Sequence, residues 1–121
     1  MARQVYSAKK QGMCSASATD EKGADGASHH YEFTHHPTVD SPAIPLSSLK
    51  FQNGDPAQVG VNGVTDEMVL AALIDHLKGF QGGPYACNEN ANAVQALING
   101  LAWLNGRPNL YGRGIQGAEK P

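Results

Sequence analysis

The sequence predicts an α+β fold, with a small N-terminal antiparallel β-sheet followed by a C-terminal helical hairpin. Two observations carry this prediction. Residues 65–105 contain two segments with apolar residues at helical spacing, each with start and stop signals. Residues 2–36 contain short runs of strand-forming residues separated by polar, glycine-containing turns. The 121 residues suit a single domain with one modest core. Within it, 1–50 is the β-rich part and linker, and 51–121 is the helical hairpin and tail.

The strand half comes first. Residues 2–8 alternate weakly, with Val5 and Tyr6 the best strand formers. Residues 13–19 alternate small and polar side chains and form a second, thin strand. Residues 20–28 are rich in Asp, Glu, Lys and Gly and read as an exposed loop. Residues 29–36 are the best strand of this half, ended by Pro37. On a strand, His29, Tyr31, Phe33 and His35 share one face, and His30, Glu32, Thr34 and His36 share the other. The paired histidines invite a metal hypothesis, with Cys14 and Glu32 as the tempting further ligands. Same-face histidines six residues apart lie about 20 Å from each other on an extended strand, too far for one ion. A strand carrying polar rings near an edge or interface is the plainer reading.

Residues 38–49 hold Pro42, Pro45 and three serines, and read as an extended connection. Residues 50–56 are a short extended piece and a turn, with Asn53-Gly54 as the turn signal. Residues 59–64 repeat that turn chemistry.

The first helix starts with Thr65 as N-cap, and Asp66 and Glu67 complement the dipole in its first turn. Leu70, Leu73, Ile74 and Leu77 mark its inward face, and Gly79 is its expected stop. The second helix begins near Asn88 and runs to Leu104 or Asn105, with Gly106 and Pro108 ending it. Ala91, Val94, Leu97, Ile98, Leu101 and Leu104 form its inward stripe. Its other face carries Asn90, Asn92, Gln95 and Asn99 but a single charge, Glu89. Amides and small residues in place of mixed charges suit packing against another helix, so this face reads as a subunit interface with Trp103 as a candidate anchor. A merely polar surface is the alternative.

The connection between the helices, residues 79–90, is the most unusual stretch. Glycines and a proline shape it, and Phe80 and Tyr85 stand where a plain loop would carry polar residues. It ends in Asn88-Glu89-Asn90 at a helix start, where backbone N–H groups are unpaired and attract anions. Aromatic faces beside free donors suit a planar, phosphorylated ligand. A hairpin whose loop aromatics cap the core is the competing account. After Gly106, Arg107 and Arg113 offer guanidinium forks that match phosphate oxygens, against the alternative of incidental charge on a terminus.

Composition narrows the function classes. The chain is 40% hydrophobic and 17% charged, with net charge −2, which argues against a generic nucleic-acid coat or a polybasic membrane binder. No leader peptide or long apolar run is evident, so the expectation is a soluble intracellular protein with Cys14 and Cys87 as free thiols. An enzyme needs a nucleophile with its base, or paired acids. His76 beside Asp75 is too little to make one, so a non-enzymatic role is expected.

The segments Phe51-Gln52-Asn53-Gly54, Gly63-Val64-Thr65-Asp66-Glu67, Gly79-Phe80-Gln81, Gly83-Pro84-Tyr85-Ala86-Cys87, Glu89-Asn90-Ala91, Ala102-Trp103-Leu104 with Arg107, and Arg113-Gly114-Ile115-Gln116-Gly117 together carry a family resemblance. From Phe51 to Gly117 the chain resembles the Thoeris anti-defence sponge proteins of phages, which share a helical hairpin with anti-CBASS sponges. Residues 1–50 match poorly, although the family places a small antiparallel sheet before its hairpin. The resemblance implies a non-catalytic protein without a cofactor, acting in the cytoplasm of the infected bacterial host. It implies sequestration of a cyclic nucleotide immune signal, chiefly a cyclic ADP-ribose isomer, with some members also binding cyclic di- or trinucleotides of CBASS. It implies a homodimer or hexamer whose pocket is shared between subunits, and no membrane or DNA partner. By position, Phe80 would stack on adenine, Asn90 would hydrogen-bond the ligand and Arg107 would meet the phosphates. Asn88 stands where the family usually has arginine, and Tyr111 where a second tail arginine often follows. Arg113 completes the implied ligand-binding set of Phe80, Asn88, Asn90, Arg107, Tyr111 and Arg113. An oligomeric phage protein that binds no ligand is the rival class.

Overall fold

The structure, a computed structural model, describes residues 2–9 and 13–107. These fall into two compact units divided between Gly63 and Val64. The first is a four-stranded antiparallel sheet in chain order: β1 (Arg3–Ala8), β2 (Cys14–Ala18), β3 (His30–His35) and β4 (Ile44–Lys50). The α+β class expected from the sequence is therefore correct.

Alternation along the strands gives the sheet two unlike faces. On one, Ser15 Oγ lies 3.0 Å from Thr34 Oγ1, and Thr19 Oγ1 lies 2.7 Å from His30 Nδ1. On the other, Ala16 pairs with Phe33 and Ala18 with Tyr31, and the Tyr31 ring meets Phe51 edge-on at 5.7 Å. Ala8 and Ala18 are buried there, Ala18 completely. The thin second strand is thin for a reason: its alanines leave room for the β3 rings.

β4 corrects the reading of residues 38–49 as a connection. Pro45 obscures the strand, but this strand has a neighbour on one side only, where proline is tolerated. Both outer strands carry a bulge. Gln4 pairs with Ser17 and Tyr6 with Ala16, so Val5 is an extra residue in β1. Phe33 pairs with Ser47 and Thr34 with Pro45, so Leu46 is an extra residue in β4.

Two loops of this unit are held by side-chain amides and carboxylates. In the β2–β3 loop, the Asp20 carboxylate accepts from the backbone N–H of His29 at 2.9 Å and of His30 at 2.9 Å. The His29 and His30 N–H bonds hold the Asp20 carboxyl below its usual range. Asp25 accepts from Ala27 N–H and pairs with His29 Nε2 at 2.8 Å, and its carboxyl is lowered by the Ala27 bond first and then by His29. After β4, the Gln52 side chain donates to the carbonyls of Gly54 and Gly60 and accepts from Asn62 N–H. Within that loop, Asp55 caps a single helical turn, α1 (Pro56–Val59). The sequence reading took it as a turn, although Asp followed by Pro is an N-cap and first-position pair. Gly63 closes the loop where the chain passes against the backbone of Lys50, Phe51 and Gln52.

The second unit contains α2 (Asp66–Gln81) and α3 (Asn88–Asn105). Thr65 caps α2 as expected, its hydroxyl accepting from Met68 N–H at 3.2 Å. The expected stop at Gly79 is wrong: α2 continues through Gly79 and Phe80 to Gln81, and Gly82 is the cap, its N–H bonding the Lys78 carbonyl at 3.2 Å. Arg107, just past α3, reaches Asp66 and Glu67 at the start of α2, so the helices run antiparallel. Their seam buries Ile74 and Val94, and small Gly100 lies beside Leu70. Leu73 was expected to face inward but is 41% exposed; Met68 is 58% exposed, and Trp103, read as an anchor on the outer face, is 82% exposed. No helix among the described residues is long and apolar enough to cross a membrane.

Two glycines separate a helix interior from a close backbone approach. A Cβ at Gly79 meets nothing, so Gly79→Ala should raise stability by about 0.5–1 kcal/mol in a denaturant melt. A loss would restore the stop reading. A Cβ at Gly63 collides with backbone, so Gly63→Ala should cost about 1–3 kcal/mol in the same assay.

Acid provides a second test. A depressed carboxyl stabilises the fold above its unfolded pKa, and that contribution is lost as pH falls through the folded value. Melting temperature should therefore fall with acidity below about pH 4. Asp20→Asn should flatten that limb, and an unchanged limb would mean that Asp20 does not contribute to it.

Candidate functional site

The α2–α3 connection is closed by one side chain. Gln81 Nε2 donates to the Cys87 carbonyl at 3.1 Å, and Gln81 Oε1 accepts from Cys87 N–H at 3.1 Å. This two-way contact bridges Gly82, Gly83, Pro84, Tyr85 and Ala86. It leaves Cys87 extended as the N-cap of α3, with its thiol sulfur accepting from Asn90 N–H at 3.4 Å.

Two ring contacts follow from that geometry. Phe80 sits in the last turn of α2, four residues after His76, and the two rings meet at 4.9 Å and 71°. Tyr85, in the closed loop, makes the other ring contact with Phe80, at 6.3 Å and 87°. Phe80 is 37% exposed and Tyr85 is 74% exposed. Phe80 is therefore fixed by the helix rather than by a turn beyond a stop, which corrects the earlier placement. Its neighbours hold it in position without covering it.

Asn88 and Asn90 lie in the first turn of α3, on the far side of the same connection. Among the described residues, neither side-chain amide has a protein partner. The cluster thus offers aromatic surface, uncommitted amides and the Asn88 and Glu89 N–H groups at the start of α3, the Asn90 N–H being taken by Cys87, at one end of the helix pair. His76 and Gln81 belong to it and were not among the expected site residues. His76 could have been placed by its i, i+4 spacing to Phe80. Gln81 could not, because a glutamine bonding across a loop leaves no sequence pattern.

Arg107 lies elsewhere. Its Nη2 is 3.4 Å from Asp66 Oδ2 and 3.4 Å from Glu67 Oε1, at the opposite end of α2 from Phe80. Glu67 and Phe80 are thirteen residues apart on one helix, about 20 Å along its axis. The structure thus brings Phe80, Asn88 and Asn90 together and separates Arg107 from them within one chain. Tyr111 and Arg113 lie outside the described residues.

The histidine-rich strand is engaged in the sheet. His29 pairs with Asp25, His30 with Thr19, and His36 Nδ1 lies 3.4 Å from the Ser41 carbonyl. His35 pairs with Cys14 in the β2–β3 register. A hollow of about 310 Å³ lies over the Leu46 bulge, lined by Glu32, Phe33, Thr34, Pro45, Leu46, Ser47 and Ser48. Its lining has one charge, a carboxylate, and does not suit a phosphate.

No protein-family model matches the chain. A curated relative, Thoeris anti-defense 1 from Bacillus phage SBSphiJ7, is 37% identical over 84 residues. The match covers 69% of this chain and 59% of the relative, so the chain spans less than two thirds of that protein.

If Gln81 holds the connection closed, Gln81→Ala should lower stability by about 0.5–1.5 kcal/mol, since the exposed Cys87 backbone groups exchange their side-chain partner for water. Hydrogen exchange at Cys87 and Asn90 should speed up, while exchange in the β-sheet stays as in the parent. Unchanged exchange at Cys87 would mean that the glycine and proline backbone closes the loop unaided.

Proposed function

The chain belongs to the Thoeris anti-defence 1 family, and from that premise we propose that it is a phage anti-defence protein that binds and sequesters a cyclic nucleotide immune signal. The signal is a cyclic ADP-ribose isomer, held without chemical change in the cytoplasm of the infected cell. The observation that carries this reading is the aromatic and amide cluster at the α2–α3 connection. Phe80 supplies a partly exposed, positioned ring for adenine, and Asn88 and Asn90 supply free amides. Arg107 supplies the phosphate contact.

The distance between these parts supports a site divided between two copies. A cyclic dinucleotide-sized ligand does not span about 20 Å of helix. One aromatic stack contributes about 1–3 kcal/mol, and one charged hydrogen bond about 1.5–3 kcal/mol. Association costs about 4–15 kcal/mol, so neither end of the helix pair suffices alone. In a twofold dimer, the Phe80 end of one chain meets the Arg107 end of the other, twice. Exposed Met68, Leu73 and Trp103 give such an assembly apolar surface to cover.

The experiment is a titration with cyclic ADP-ribose isomers, using Phe80→Ala and Arg107→Ala separately and mixed after exchange of subunits. Each variant alone should bind roughly five- to more than a hundredfold more weakly. The equal mixture should recover tight binding at about a quarter of the sites, because half the dimers are mixed and each holds one intact site. Ligand released on denaturation should be unchanged. No recovery in the mixture would place both residues in one copy's site or in none, and a hydrolysed product would make the chain an enzyme.

A further inference from the structure

Arg107 is not free in this structure. Its Nη2 is shared between Asp66 Oδ2 and Glu67 Oε1, each at 3.4 Å. A guanidinium has two edges for bidentate binding, one formed by Nη1 and Nη2 and the other by Nε and Nη2. Both edges use Nη2. A phosphate approaching either edge therefore meets a nitrogen already turned toward a carboxylate.

We propose that Asp66 and Glu67 mask Arg107, and that a phosphate-bearing ligand binds by displacing them. The inference rests on the reading of Arg107 as a phosphate contact. Charge supports it, since two carboxylates around one guanidinium leave the cluster with a net negative charge. Exposure sets its strength: the side chains are 36% exposed for Arg107, 53% for Asp66 and 28% for Glu67, so water and salt weaken the clamp. The carboxylates also have somewhere to stay. Both lie in the first turn of α2, whose unpaired N–H groups favour negative charge when Arg107 leaves. The displaced state is therefore accessible, and the clamp acts as a threshold. A pyrophosphate, with more charge and more acceptor oxygens than a monophosphate, competes with the carboxylates more effectively.

The test uses the full chain with Asp66→Asn and Glu67→Gln, singly and together, and a thermal melt to confirm folding. The first measurement is the rate at which an arginine-selective dicarbonyl reagent labels Arg107, followed by peptide mass spectrometry without nucleotide. The double variant should label roughly two- to tenfold faster. The second is protection of Arg107 from that label by inorganic pyrophosphate, whose midpoint should fall by a similar factor in the double variant. The third is titration with cyclic ADP-ribose, where affinity should rise by roughly two- to tenfold and the gain should shrink as salt is added. Unchanged labelling, or weaker pyrophosphate protection in the variants, overturns the mask and makes the carboxylates a tie between helix ends. Faster labelling and tighter pyrophosphate protection without any nucleotide binding uphold the mask and instead overturn the nucleotide reading.

Discussion

The grip of Gln81 on the backbone of Cys87 is the contact on which the candidate site depends. It is a hydrogen-bonded ring closed by one primary amide, donor to acceptor and acceptor to donor. The five residues it bridges include two glycines, which have the most conformational freedom to lose. Fixing both ends of that segment places Tyr85 against Phe80 and delivers Cys87 in the extended conformation that an N-cap requires. Cysteine is a poor cap beside serine or aspartate. The Gln81 contact explains why a poor cap is enough here: the start of α3 is positioned from outside the helix.

The second unit is short of interior. Two helices packed along one seam bury a strip of each, and among the described residues of these helices only Ile74 and Val94 are buried. The large apolar side chains left exposed lie on both helices, so the shortage is not local to one face. Coverage by another copy would relieve it, and the same act would unite the aromatic end of one chain with the cationic end of the next. Under that arrangement the number of complete sites depends on how many chains have met. While single chains predominate, it grows as the square of their concentration, and capacity is gained late and then quickly.

Much of this was legible beforehand. The helices were readable because their apolar spacing and the Thr65 cap agreed with each other. The end of α2 was misplaced because Gly79, Gly82 and Gly83 all resemble stops, and only Gly82 supplies the capping N–H. β4 was hidden by Pro45, a residue that excludes a central strand but not an outer one. α1 was hidden because Asp55-Pro56 serves equally in a turn and at a helix start. Pattern pointed to the 79–90 connection and the tail arginines, resemblance gave the residues their roles, and the structure separated Arg107 from Phe80, Asn88 and Asn90 within one chain. That division was implicit in the sequence: a residue just past the second of two antiparallel helices must return to the start of the first, beside Asp66 and Glu67. The Gln81 contact was not implicit, since which backbone an amide chooses depends on the folded loop.

The bulges at Val5 and Leu46 have a consequence beyond the sheet they interrupt. A chain with few charges carries little electrostatic protection against sticking to its own kind. The exposed borders of a β-sheet are where such sticking turns into fibrils, because each border is a row of backbone groups awaiting another strand. Here both borders are broken by an extra residue, and one also lacks an amide hydrogen at Pro45. A newcomer strand would find neither a continuous ladder nor a flat template. The borders of the first unit are thus poorer templates for an incoming strand than regular ones would be.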